Sequence, residues 1–185
     1  TRPDQMEEKK KSVGSNALIF GLITGITLII LSAVLFMSNS FDGPSKYLGY
    51  LILIAGIVVG SMNYRDKVNG GFLSYGSGVG SGVLISVFAG VILGIFTFIY
   101  TKYINPAFIE MMIEKVRESM VQKGQSDEQI EMGLKYVRMF MTPVMMIVFT
   151  ILGYAFWGTL FSLVIAFFIK KERPPFENII DQNPQ

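Results

Sequence analysis

Asn69–Thr101 reads NGGFLSYGSGVGSGVLISVFAGVILGIFTFIYT and contains no Asp, Glu, Lys or Arg. Its glycine-rich entry passes into an apolar run that exceeds the roughly 20 residues needed to cross a bilayer as a helix. Outward from it lie three further charge-free runs, Ser12–Phe41, Tyr47–Tyr64 and Met139–Ile169. The charges fall between these blocks. The pattern predicts an all-α membrane protein with four transmembrane helices, over about 15–37, 47–62, 79–103 and 143–168.

Each span carries small residues at helical spacing. Gly21/Gly25, Gly56/Gly60, Gly78/Gly82 and Gly90/Gly94 are each four apart, as is Gly76/Gly80. In lipid no hydrophobic effect drives helices together, so close backbone approach at small residues has to do so. These glycines are therefore expected at helix–helix contacts. Span four adds Gly153, Ala155, Gly158 and Ala166. Tyr47, Tyr50 and Tyr64 read as interfacial aromatics of span two. Phe72–Gly82 is open at this level to helix, re-entrant segment or loop. Gly78-Val79-Gly80-Ser81-Gly82 lacks both the spacing and the preceding strand of a dinucleotide loop, so no cofactor is expected there.

The chain of 185 residues reads as a single domain over 6–185. Thr1–Gln5 precede Met6 and read as a foreign leader. Met6-EEKKK followed by an apolar stretch mimics a signal peptide, but the stretch is too long for an h-region and no A-x-A-like site follows. Apolar residues make up 51% and the mean hydropathy is +0.47, high for a soluble domain. The net charge of +2 forms no basic stripe, so no nucleic acid is expected as a partner. The chain has no Cys and no His. That removes thiol chemistry, imidazole acid–base catalysis and the commonest ligands of structural metal sites.

Between spans three and four lies a charged segment, 106–142. Asn105-Pro106 reads as N-cap and first helical residue. Ile109, Ile113, Val116 and Met120 then form a seam with spacing +4, +7 and +11, and Gly124 ends it. Ser126-Asp-Glu-Gln129 has the form of a capping box. Ile130, Leu134, Val137 and Met141 repeat the spacing of the first seam. Two arms of about 27 Å each, joined by a short turn and carrying matching seams, predict an extramembrane helical hairpin. The rival arrangement lays both helices flat on the bilayer.

Four spans put both termini on one side. Lys9, Lys10, Lys11, Arg65, Lys67, Lys170, Lys171 and Arg173 share that side, tight against the span ends. The bases of the third loop are balanced by Glu110, Glu114, Glu118, Asp127, Glu128 and Glu131. The positive-inside rule then places both termini in the cytoplasm and the hairpin across the membrane.

The connection NYRDKVNGGFLSYGSGVGSG, the segment YINPAFIEMMIEKVRE and the approach SDEQIEMGLKYVRMFMTP to span four carry a resemblance to a known family. The chain resembles the bacterial family catalogued as domain of unknown function 4199, over nearly its whole length after Met6. The resemblance implies a four-pass protein of the bacterial inner membrane. It brings no reaction and no catalytic residues.

Function is reached by elimination. No nucleophile–base pair or positioned acid–base pair stands out, so catalytic, cofactor and metal residues are none. Asp66 beside Arg65 reads as a turn-stabilising pair. Glu110, Glu114 and Glu118 read as a solvated helix face. No span holds an ionisable residue of the kind a coupled carrier uses. The leading expectation is a non-catalytic subunit, scaffold or anchor, whose partners are the lipid bilayer and either a protein or further copies of itself. The alternatives are an oligomeric channel or transporter component for a small solute, and an accessory subunit of a membrane enzyme.

Overall fold

The computed structural model describes residues 3–38 and 44–172. The tail from Arg173 and most of the connection between spans one and two lie outside the described residues. The chain runs α1 (Pro3–Met37), a 3₁₀ turn (Pro44–Tyr47), α2 (Leu48–Asn63), α3 (Tyr75–Ile99), α4 (Ala107–Gln122), α5 (Asp127–Phe140) and α6 (Pro143–Ile169). Among the described residues four stretches are long and apolar enough to cross a membrane: Val13–Met37, Leu48–Val68, Tyr75–Ile104 and Pro143–Ile169. Outward-facing Ile23, Ile30, Leu152, Phe156 and Phe167 are more than half exposed. A soluble bundle would bury this surface. A bundle surrounded by hydrocarbon has no such need.

Helix does not stop after Met62, where span two is expected to end, and span three runs to Ile104 against an expected end at 103. Tyr64–Val68 and Tyr100–Ile104 each continue as a π-helical turn. The closing bonds run from Asn69 N–H to Tyr64 O at 2.9 Å and from Asn105 N–H to Tyr100 O at 2.7 Å. Arg65, Asp66 and Lys67 therefore sit on a widened helical turn, not in a loop. Tyr64 is 3% exposed, which corrects its reading as an interfacial anchor. Asn105 does not cap α4 either. Its side-chain amide donates to the Tyr100 hydroxyl, and the N-cap position is Pro106.

The chain then turns at Gly70 and Gly71, whose φ values of 66° and 86° lie in the left-handed region open to glycine. Leu73 exchanges both backbone bonds with Lys171, at 2.8 and 2.9 Å, an isolated antiparallel bridge. Ser74 caps α3 by accepting from Ser77 N–H. Of the readings open for Phe72–Gly82, helix holds from Tyr75 onward, so the third span begins four residues before the expected 79.

Helix α3 is the centre of the bundle and packs against α1, α2 and α6. Its buried face is mostly small: Gly78, Ser81, Gly82, Ser86, Ala89, Gly90 and Gly94, with Ile85, Leu93 and Thr97. Ser61 donates to Ser81 Oγ across α2 and α3 at 3.4 Å, and three other buried hydroxyls are satisfied within their own helices. Ser86 donates to Gly82 O at 2.8 Å, Thr97 to Leu93 O at 2.9 Å and Ser162 to Gly158 O at 2.6 Å. That is how a hydroxyl is accommodated where no water is available. Asn16 Nδ2 donates across to Gly60 O at 2.9 Å, joining α1 to α2.

The α3–α6 contact is a ladder of small residues in antiparallel register. A Cβ on Gly78 would meet Ala166, one on Gly82 would land on Ser162 Oγ, one on Gly158 would land on Ser86, and one on Gly90 would meet Tyr154 Cβ at 2.9 Å. Each step of four along α3 is matched by a step back of four along α6. Gly94 continues the line against Ile147. On α1, Gly21 and Gly25 face Phe88 and Ile92 of α3. On α2, Gly56 lies against Thr24 and Gly60 against Phe20 and Ile85. Gly76, Gly80 and Gly153 meet nothing, so equal spacing alone does not mark a contact.

Candidate functional site: the α4–α5 pair and the cavity at its root

Helix α4 ends at Gly124, which has φ 71°, and α5 opens with the Ser126–Gln129 capping box. Ile113, Ile130 and Leu134 form one buried cluster, with Ile109, Val116, Met120, Val137 and Met141 packed against it. Arg138 reaches Glu110 at 3.4 Å across the pair, and Arg117 reaches Glu114 at the same distance. The carboxylates on this face of α4 thus have basic neighbours.

Helix α5 is apolar on two sides. Opposite the seam, Met132, Tyr136 and Met139 recur at i, i+4 and i+7, each close to 60% exposed. Phe140 extends the stripe and meets the Phe149 ring of α6 edge-on, with centroids 6.2 Å apart. The second stripe was visible as apolar residues two positions along from Ile130, Leu134 and Val137.

Beneath the root of α4 lies a cavity of about 470 Å³, partly open, lined from α1, α2, α3, α4 and α6. Phe108 and Met112 contribute from α4, and Gly49, Tyr50 and Leu53 from the first turns of α2. Phe36 stacks with Tyr100 at 4.5 Å and with Phe108 at 4.9 Å, which fastens α4 to the bundle. On the other wall the Tyr50 and Trp157 rings lie 5.4 Å apart. Among the described residues no charged side chain lines the cavity. Gly153, expected as a packing residue, lines it instead. No sequence signal marked this site, because its residues come from five helices at unrelated spacings.

At the opposite end of the bundle Arg65 acts as a clamp. Its guanidinium donates to both carboxylate oxygens of Asp66, at 2.7 and 3.0 Å, and to Ile169 O at 3.1 Å. Ile169 is the last residue of α6, where unpaired carbonyls favour a cation. The Arg65–Asp66 pairing expected from the sequence is present. Arg65→Ala is expected to lose about 1.5–3 kcal/mol, seen as a melting temperature about 3–12 °C lower. Asp66→Asn, which leaves the bond to Ile169 in place, should cost clearly less. Equal losses would show that the capping bond contributes nothing.

Among the described residues the fold is helical, with four helices long and apolar enough to cross a membrane and one charged helical pair between the last two. The chain belongs to the family described as Protein of unknown function (DUF4199), whose model matches residues 19–171. Comparison with curated proteins and with solved structures gives no match.

Proposed function

We propose that the chain is a non-catalytic anchor in the bacterial inner membrane, with both termini cytoplasmic and the α4–α5 pair projecting as a helical hairpin that docks a partner protein. The observation that carries this reading is the two-sided α5. Its inner seam is already occupied by α4, yet Met132, Tyr136 and Met139 stay exposed beyond it. Anchors at i, i+4 and i+7 are how one helix offers itself to a groove on another protein. Methionine suits such a surface because it adapts its shape. A pair lying flat on lipid would turn its one apolar face down and its basic face up. Here the main apolar face is spent on α4, and acids offset the bases around the stripe.

The test is a photo-crosslinking residue at Tyr136 in native membranes. The expected result is one adduct of a second protein, in fixed ratio to this chain, lost in a Met132→Glu, Met139→Glu variant. Adducts to lipid alone would refute protein docking. An adduct of twice the chain's own mass would replace the foreign partner with a second copy.

A further inference from the structure

We propose that the cavity at the root of α4 binds an uncharged lipid, an alkyl chain ending in a hydroxyl or ester, with its polar end at Tyr154. The cavity runs along α6 from Met146 to Trp157, about 16 Å of helix at 1.5 Å per residue. It therefore offers an elongated slot, and its volume lies in the range of small-ligand sites, about 300–1,000 Å³. Among the described residues its walls are aromatic, aliphatic and thioether surface with a few hydroxyls and no Lys, Arg, Asp or Glu. A charged head group would find no counter-charge there, and burying it unpaired is strongly unfavourable.

The lining carries the hydroxyls of Ser32, Tyr50, Thr97, Thr150 and Tyr154. Those of Thr97 and Thr150 donate to carbonyls of their own helices, Leu93 O and Met146 O. The Tyr154 hydroxyl donates no hydrogen bond within the described residues. It lies near Gly49, where a Cβ would come within 3.6 Å of it. No buried side-chain polar atom lacks a partner among the described residues, so this hydroxyl is open to the cavity. An acceptor oxygen brought by a ligand supplies what the protein does not. Gly49 and Gly153 keep the slot clear, since a side chain at either would enter it.

The experiment uses the full chain in phosphatidylcholine nanodiscs and a photoreactive monoacylglycerol carrying a diazirine in its chain. A diazirine phosphatidylcholine serves as the second arm. Saturable monoacylglycerol labelling between Met146 and Trp157 is expected, displaced by unlabelled monoacylglycerol. Gly153→Leu, whose Cβ meets nothing, should abolish that labelling without lowering the melting temperature. Tyr154→Phe removes one oxygen atom and should weaken the apparent affinity about three- to tenfold. Labelling of Gly153→Leu equal to wild type would overturn the proposal. So would equal labelling of the same peptide by phosphatidylcholine, which would mark ordinary surrounding lipid. Absence of saturable labelling would overturn it too.

Discussion

Leucine in place of Gly158 is expected to lower the melting temperature in detergent by about 10 °C. A Cβ there falls on Ser86, and the added isobutyl group has to force α6 away from α3. Overpacking of this kind costs about 3 kcal/mol at its upper range, and a chain of this size moves about 2–4 °C per kcal/mol. The cause is separable from helix propensity. Gly158→Ala gains about 1 kcal/mol of propensity and still should destabilise, because the same contact is made. Adding Ser86→Gly removes the atoms that Cβ would meet, so the double variant should recover most of the loss. Gly80→Leu is the control. It lies two residues from Gly82 on the same helix, and its Cβ meets nothing. A melting point unchanged in Gly158→Leu, or no recovery in the double variant, would show that α3 and α6 are not in this register.

Leu134→Asp should have an effect of similar size, confined to a different part of the molecule. Leu134 is 4% exposed within the α4–α5 cluster and is surrounded by Ile113, Val116 and Ile130. A carboxylate there is buried without a partner, and such changes cost about 3–5 kcal/mol. The α4–α5 pair touches the bundle mainly at its roots, so the loss should open the pair and spare the spans. Limited proteolysis should then cut near Gly124 at least tenfold faster by the measure of local opening, with the bundle's thermal transition kept. Loss of both together would show that the pair and the spans form one cooperative unit.

The four spans were legible because a bilayer imposes length and charge exclusion on the sequence itself. The α4–α5 seams were legible because two adjacent helices carry the same spacing. Much of the α3–α6 ladder was not. Gly76/Gly80 and Gly78/Gly82 have identical spacing, and the choice of face depends on α6, which is remote in the chain. Ser86 and Ser162 complete the ladder but read as generic polar residues. The π turns left a faint trace. YRDKVN and YTKYIN share a tyrosine, then a β-branched residue and asparagine at the same offsets. The motif is too short to be read as a widened turn without the bonds from Asn69 to Tyr64 and from Asn105 to Tyr100. The cavity needed five helices to be placed before it existed at all.

The claim on which the rest depends is that the α4–α5 pair stands across the membrane from both termini. The chain has no cysteine, so single cysteines report without background. Gly124→Cys and Asn69→Cys are compared in intact spheroplasts with a membrane-impermeant maleimide. The account predicts that Gly124→Cys is labelled at once and Asn69→Cys only after the membrane is permeabilised. Protection of Gly124→Cys with immediate labelling of Asn69→Cys would contradict it.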